Sequence, residues 1–193
     1  MNQVFKDFDF ENFWDNSSFQ QGEFFAGRKS LFIGKPINDE MIKELEQSLG
    51  YQLPKSYLEL LKSQNGGLIQ EQLFITNNPI SLYEACYISM HQIGGIDKTA
   101  KNCSLYQCEY LIDYGFPNIG LYFADLATDH DWLIMDYREC GNNGEPQISY
   151  IYVDGGEPEI QVIAKDFETF IKGLKNADEF ECDDDNCVYL IDK

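Results

Sequence analysis

Residues 42–67, IKELEQSLGYQLPKSYLELLKSQNGG, read as two helices and the turns that end them. Ile42, Leu45 and Leu49 share one helical stripe, and Asn38 and Asp39 ahead of them offer side-chain acceptors for the free N–H groups of a first turn. A helix therefore opens after Pro36 and stops at Gly50, the residue best suited to left-handed backbone. Pro54 fits the first turn of a second helix, with Tyr57, Leu58, Leu60 and Leu61 facing inward. Asn65-Gly66-Gly67 ends that helix and permits positive φ where the chain departs.

From residue 68 onward the pattern changes to short runs rich in β-branched and aromatic residues: LFI at 73–75, CYISM at 86–90, IGLYFAD at 119–125, DWLIMDY at 131–137, ISYIYVD at 148–154 and EIQVIA at 159–164. Gly, Asn, Asp or Pro separates most of them, as strand connections require. Asp136 suits a strand-end turn or cap. Asp166 then caps a last helix with Phe167, Phe170, Ile171 and Leu174 at i, i+3, i+4 and i+7. Helices, then strands, then a helix predict an α+β fold: N-terminal helices, a central antiparallel or mixed twisted β-sheet, and a C-terminal amphipathic helix. Upstream, residues 1–34 carry eight of the fourteen Phe residues plus Trp14. Phe5, Phe8 and Phe13 sit near helical spacing, which predicts a short helix and then irregular chain against the core. VYLI at 188–191 is apolar enough to dock as an added strand.

The chain has 193 residues, 44% of them hydrophobic and 15% aromatic, which suffices for a buried core and excludes a disordered chain. Against 14 basic side chains stand 33 acidic ones, a formal charge of −19. Residues 102–164 hold eleven acids and one base, Arg138, a net of −10; residues 176–193 hold seven acids and Lys193, a net of −6. Only −3 is left for the remainder. Such a surface repels phosphate backbones and anionic membranes, so neither nucleic acid nor a membrane is expected as a direct partner. The opening MNQVFKDFDFENFW has neither the basic start nor the apolar stretch of a signal peptide, and a cytoplasmic protein with free thiols is expected. Two uses of the charge remain open: a negative face aimed at a basic partner, or a solvated surface kept soluble by self-repulsion.

Catalytic and metal-binding patterns are weak. Phosphate-loop, dinucleotide and nucleophile-elbow motifs are missing, as is HExxH. Cys103 and Cys108, and Cys182 and Cys187, are spaced too widely for zinc knuckles. The run Asp183-Asp184-Asp185-Asn186 lacks the alternating ligands and central Gly of a calcium loop. His130, flanked by Asp129 and Asp131 with Cys140 ten residues on, can be drawn as a nucleophilic pair, but a His in an Asp-rich turn more often hydrogen-bonds its neighbours. Asp125 and Asp136 are one of many carboxylate pairs such an acidic segment produces. No catalytic, cofactor or metal residue is assigned.

The run at 42–67 closely resembles the SUKH superfamily, the Smi/Knr-type domain of fungal cell-wall regulators and many bacterial proteins. Phe13-Trp14-Asp15, Ile93-Gly94-Gly95-Ile96, Gly115-Phe116-Pro117 with Ile119-Gly120-Leu121-Tyr122, HDWLIMDYRECGNNGEP at 130–146 and AKDFETFIKGL at 164–174 follow in the order such domains show. The resemblance covers about residues 13–175; the expected organisation is an aromatic-rich extension at 1–34 packed on the core, the domain at 35–175 and an acidic tail at 176–193 whose role the resemblance does not cover. Gly50, Pro54, Tyr57, Asn65, Gly66, Gly67, Asp136, Phe167 and Phe170 are its fold residues in this chain. It also implies a non-enzymatic immunity protein that neutralises a cognate toxin of a polymorphic or contact-dependent inhibition system. A basic, nuclease-type toxin is electrostatically complementary to −19. Candidate interface residues are Asp125, Asp129, Asp131, Glu139, Glu145, Asp183, Asp184 and Asp185. The implied state is a monomer or weak homodimer without a cofactor. The other reading is a regulatory or scaffolding module unrelated to toxins.

Overall fold

The computed structural model describes residues 4–19, 27–80, 85–102, 104–126, 128–182 and 188–190. The helical pair lies where the sequence puts it. Asn38 accepts the Met41 N–H at 2.9 Å and opens the helix Asp39–Leu49, which Gly50 ends with φ at 78°. The second helix spans Lys55–Ser63. Pro54 sits at its cap, one position earlier than expected, so its ring presets the entry without removing a helical donor. Gly66 and Gly67 then carry φ of 78° and 133° as the chain enters its first strand.

Two further short helices precede this pair, so these elements are α1 (Phe10–Phe13), α2 (Lys29–Phe32), α3 (Asp39–Leu49) and α4 (Lys55–Ser63). The first helix is not where Phe5 and Phe8 predict it: Asp7 takes φ of 64°, which breaks the helical course, and Asp9 caps the chain anew by accepting the Asn12 N–H. Phe5, Phe13 and Trp14 are buried in the main core, and Trp14 bridges to Ile69 while its indole N–H reaches Ser63 Oγ at 3.0 Å. Phe24 and Phe25 lie outside the described residues.

Among the described residues the named strands pair antiparallel. β1 (Gly67–Ile80) is flanked by β2 (Ala85–Ile93) and, far along the chain, by β7 (Leu174–Asn176). A second sheet runs β3 (Gly120–Asp125), β4 (Asp131–Asp136), β5 (Gln147–Tyr152) and β6 (Glu159–Ala164) in order. The two sheets meet where Gly94 N, just past β2, donates to Phe123 O on β3 at 2.6 Å. A helix the sequence reading omits, α5 (Gln107–Asp113), lies between β2 and β3. The last helix, α6 (Phe167–Gly173), is capped by Asp166 on the Thr169 N–H. Phe167 and Phe170 are fully buried, edge-on to Tyr57 and Phe123. Leu174, expected as the helix's last inward residue, instead starts β7, because α6 has ended at Gly173. At the tail, β8 (Phe180–Cys182) pairs with β9 (Val188–Leu190).

Asn65 joins three of these segments. Its side-chain N–H donates to Lys35 O at 2.7 Å, its side-chain oxygen accepts Ile96 N–H at 2.8 Å, and its backbone oxygen accepts Gly34 N–H at 2.9 Å. Only glycine fits opposite: a Cβ on Gly95 would stand 2.5 Å from the Asn65 backbone oxygen. Tyr57, fully buried, donates its hydroxyl to Gly94 O beside this junction. Asp97 completes it by accepting Lys35 N–H and both donors of Thr99.

Asn65→Ala is expected to lower unfolding free energy by about 2–5 kcal/mol, because it strands a buried N–H and a carbonyl together. Asn65→Asp should do no better, since it keeps the acceptor for Ile96 but turns a carboxylate oxygen toward Lys35 O. Urea melts of the three proteins check both, and a loss under 1 kcal/mol would remove Asn65 from this role.

Candidate functional site

The acidic block at 102–164 does not form one face. In the β3–β4 ladder Gly120 lies opposite Asp136 and Asp125 opposite Trp132, so Asp125, Asp129 and Asp131 gather at one end of the second sheet. Asp136, Glu139 and Glu145 gather at the other. Five strand steps of about 3.4 Å separate the ends by ~17 Å. Asp125 and Asp136 are therefore no catalytic pair. His130 and Cys140 likewise flank opposite ends of β4. His130 is held in its turn by Nδ1 against Val153 O at 3.0 Å and by Thr128 Oγ1 on its N–H, while the Cys140 thiol lies against the carbonyls of Tyr137 and Gly141. That geometry removes the support for a nucleophilic pair.

Two of the carboxylates are internal. Asp131 is wholly buried, and its Oδ1 accepts both the N–H and the hydroxyl of Thr128, closing the β3–β4 turn. As an interface candidate Asp131 is corrected to a turn residue. Asp136 is also wholly buried and receives Arg138 Nε at 3.0 Å, Arg138 Nη2 at 2.6 Å and Ser149 Oγ at 3.0 Å. Burial pushes its carboxyl up, but Arg138 and Ser149 outweigh that and hold it below the ordinary aspartate range. The one base of the segment is thereby consumed inside it.

Asp129, Glu139 and Glu145 are exposed, and none of these three nor Asp125 forms an ion pair among the described residues. Burial, then Asp166 and Glu168 near by, raise Glu145 above the usual glutamate range, so a second acidic cluster forms beside the start of α6. Asp183, Asp184 and Asp185 lie outside the described residues. Among the described residues no group of His, Cys, Asp and Glu is arranged to hold a metal, and no helix is long and apolar enough to cross a membrane. Cys108 is buried, accepts the Tyr122 N–H at 3.2 Å, and has its thiol pushed up to about 12 by burial, which leaves it unreactive.

The most distinctive surface lies between α5 and the β3–β4 hairpin. Gln107, Tyr110, Leu111, Asp125 and Trp132 line a groove of about 340 Å³. Tyr110 and Tyr114 are 65% and 63% exposed and stack at 5.9 Å, an i, i+4 pair on the outer side of α5 while Cys108 and Leu111 anchor its inner side. Trp132 faces its cross-strand partner Asp125, edge-on to Tyr122. Asp125 Oδ1 and Trp132 Nε1 are both buried without a hydrogen-bond partner among the described residues. Burial raises the Asp125 carboxyl above the ordinary range against the pull of His91 on β2 and of a backbone N–H, with Asp129 and Asp131 adding to the rise. Asp125 belongs to the sequence-predicted set; Tyr110, Tyr114 and Trp132 do not. The spacing of Cys108 and Leu111 with Gly115 behind them was the available signal for α5.

A carboxyl raised by folding opposes stability at any pH where it must ionise. Its unfavourable contribution is absent below the unfolded aspartate range, grows as pH climbs toward the raised folded value, and is complete above it. Asp125→Asn is therefore expected to stabilise the protein at pH 7, by about 2–4 °C in Tm for a gain near 1 kcal/mol, and to have no such effect near pH 3.5. Thermal melts at the two pH values check this; an equal shift at both, or a loss at pH 7, would contradict it.

Residues 36–173 match the SMI1 / KNR4 family (SUKH-1). No curated protein matches the chain. The matched span runs from the turn before α3 through α6 and includes Asn65, Gly95, Asp136 and the groove between α5 and the β3–β4 hairpin. With well over half its length inside that match, this chain is a member of the SMI1 / KNR4 family, SUKH-1.

Proposed function

We propose that the protein is a non-enzymatic, cytoplasmic immunity protein that binds a basic toxin, of nuclease type, and blocks its active site. The observation that carries this reading is a set of exposed or groove-lining carboxylates that form no ion pair among the described residues: Asp125 and Asp129 at one end of the second sheet, Glu139 and Glu145 at the other. Nuclease surfaces are cationic because they must hold phosphate, so a chain at −19 approaches one with long-range attraction over roughly a Debye length of ~10 Å. The SUKH-1 family includes modules of the immunity type, which supports the same class of partner. The segment at 176–193, with seven acids, is proposed as an auxiliary contact.

Because the acids lie at two ends, the partner engages them unequally. Co-expression with the product of a neighbouring toxin gene should rescue growth and yield a complex. Reversal at the contacted end, Asp125→Lys with Asp129→Lys or Glu139→Lys with Glu145→Lys, should slow association about tenfold at low salt and flatten its salt dependence, while reversal at the other end changes the rate by less than about threefold. A complex indifferent to both reversals would overturn the acidic-surface mechanism. A pull-down returning an envelope or signalling protein, with no toxin rescue, would favour a regulatory scaffold instead.

A further inference from the structure

The groove between α5 and the β3–β4 hairpin contains more than an acidic surface needs. Two polar atoms of its lining residues, the acceptor Asp125 Oδ1 and the donor Trp132 Nε1, are buried without hydrogen-bond partners among the described residues. Atoms left unpaired in this way are unfavourable, a carboxylate oxygen most of all. The walls are aromatic, Tyr110 and Trp132, and Tyr114 stacks on Tyr110. Glu109 and Asp113 interleave with these tyrosines on α5, and Asp129 stands on the neighbouring turn. The lining itself holds no Lys or Arg.

We propose that this groove receives the guanidinium group of an arginine on the basic partner, stacked against Tyr110 and Trp132 and donating N–H bonds to Asp125. The chemistry selects among side chains. A leucine or phenylalanine would suit the walls but bury the carboxylate unpaired, and a glutamate would meet repulsion from Asp125, Asp129 and Glu109. A lysine ammonium is compact and strongly hydrated. A guanidinium is flat, weakly hydrated and stacks on aromatic faces while its donors fork onto a carboxylate. Exposed Tyr residues beside a half-buried Trp also match the composition of interface hot spots, in which Trp, Tyr and Arg are all enriched.

This inference rests on the reading of the chain as a binder of a basic protein, and its test separates the two. With the full-length protein labelled with ¹⁵N, N-acetylarginine methylamide is the probe. It should shift the Trp132 indole N–H resonance and the amides of α5, at least about fivefold more tightly than the uncharged N-acetylcitrulline methylamide and more tightly than the lysine analogue. Tyr110→Ala, an exposed position whose loss leaves the fold intact, should weaken the arginine response at least about threefold, and Asp125→Asn at least about fivefold. Equal responses to arginine and citrulline, or an undiminished response in Asp125→Asn, would overturn the assignment. A toxin complex unaffected by Tyr110→Ala would also overturn it while leaving the inhibitory function standing. Failure of toxin rescue with the arginine response intact would do the reverse.

Discussion

The structure depends on one buried amide. Asn65 holds the chain before α3, the exit of α4 and the loop after β2 at a single point, and Gly95 lets the backbones approach closely enough for it to do so. That loop also hands the first sheet over to the second, through Gly94 and Phe123. The angle at which β3 and β4 stand against the helices is thus set within a few residues of Asn65. Asp125 and Trp132 lie at the end of that hairpin, so the position of the groove follows from hydrogen bonds made by a residue that never touches it.

Above this junction the core is held chiefly by rings. Phe167 and Phe170 on α6 meet Tyr57, Phe74 and Phe123 at centroid separations of 4.8–5.8 Å, joining the helical pair and both sheets. Edge-to-face pairs contribute about 0.5–1.5 kcal/mol each beyond their burial and fix orientation as well as distance. A rigid second sheet matters for electrostatics. Carboxylates fixed on strands and tight turns keep their spacing, and Arg138 is held on Asp136 by both Nε and Nη2.

Local chemistry made much of the fold legible. Asn38, Gly50 and Asp166 announce helix ends because capping is settled within four residues, and the alternation of β-branched and aromatic runs marks the six main strands. What required long-range contacts was not legible. Asn65 reads as a turn residue, since nothing in its neighbours shows that Lys35 and Ile96 will arrive. Asp131 and Asp129 look alike in sequence, yet one is sealed beneath Thr128 and the other faces solvent. The −10 of residues 102–164 reads as one patch because strand reversal, which sends alternate turns to opposite ends of a sheet, is invisible to a running count. α5 escaped notice because seven residues give barely two turns of periodicity.

The pairing of β1 with β7 bears on how the molecule comes into being. β1 begins at residue 67, but its second neighbour is Leu174–Asn176, and Lys172 reaches back to Val4 O at 3.1 Å. On the ribosome, α3, α4 and β1 emerge roughly a hundred residues before the strand and helix that cover them, a matter of seconds at 5–20 residues per second. For that interval β1 has one edge open and Phe5, Phe74 and Tyr57 lack their final covering. The finished fold is therefore a late event in synthesis, and a nascent chain must be kept from pairing its free edge with a neighbour's until α6 arrives.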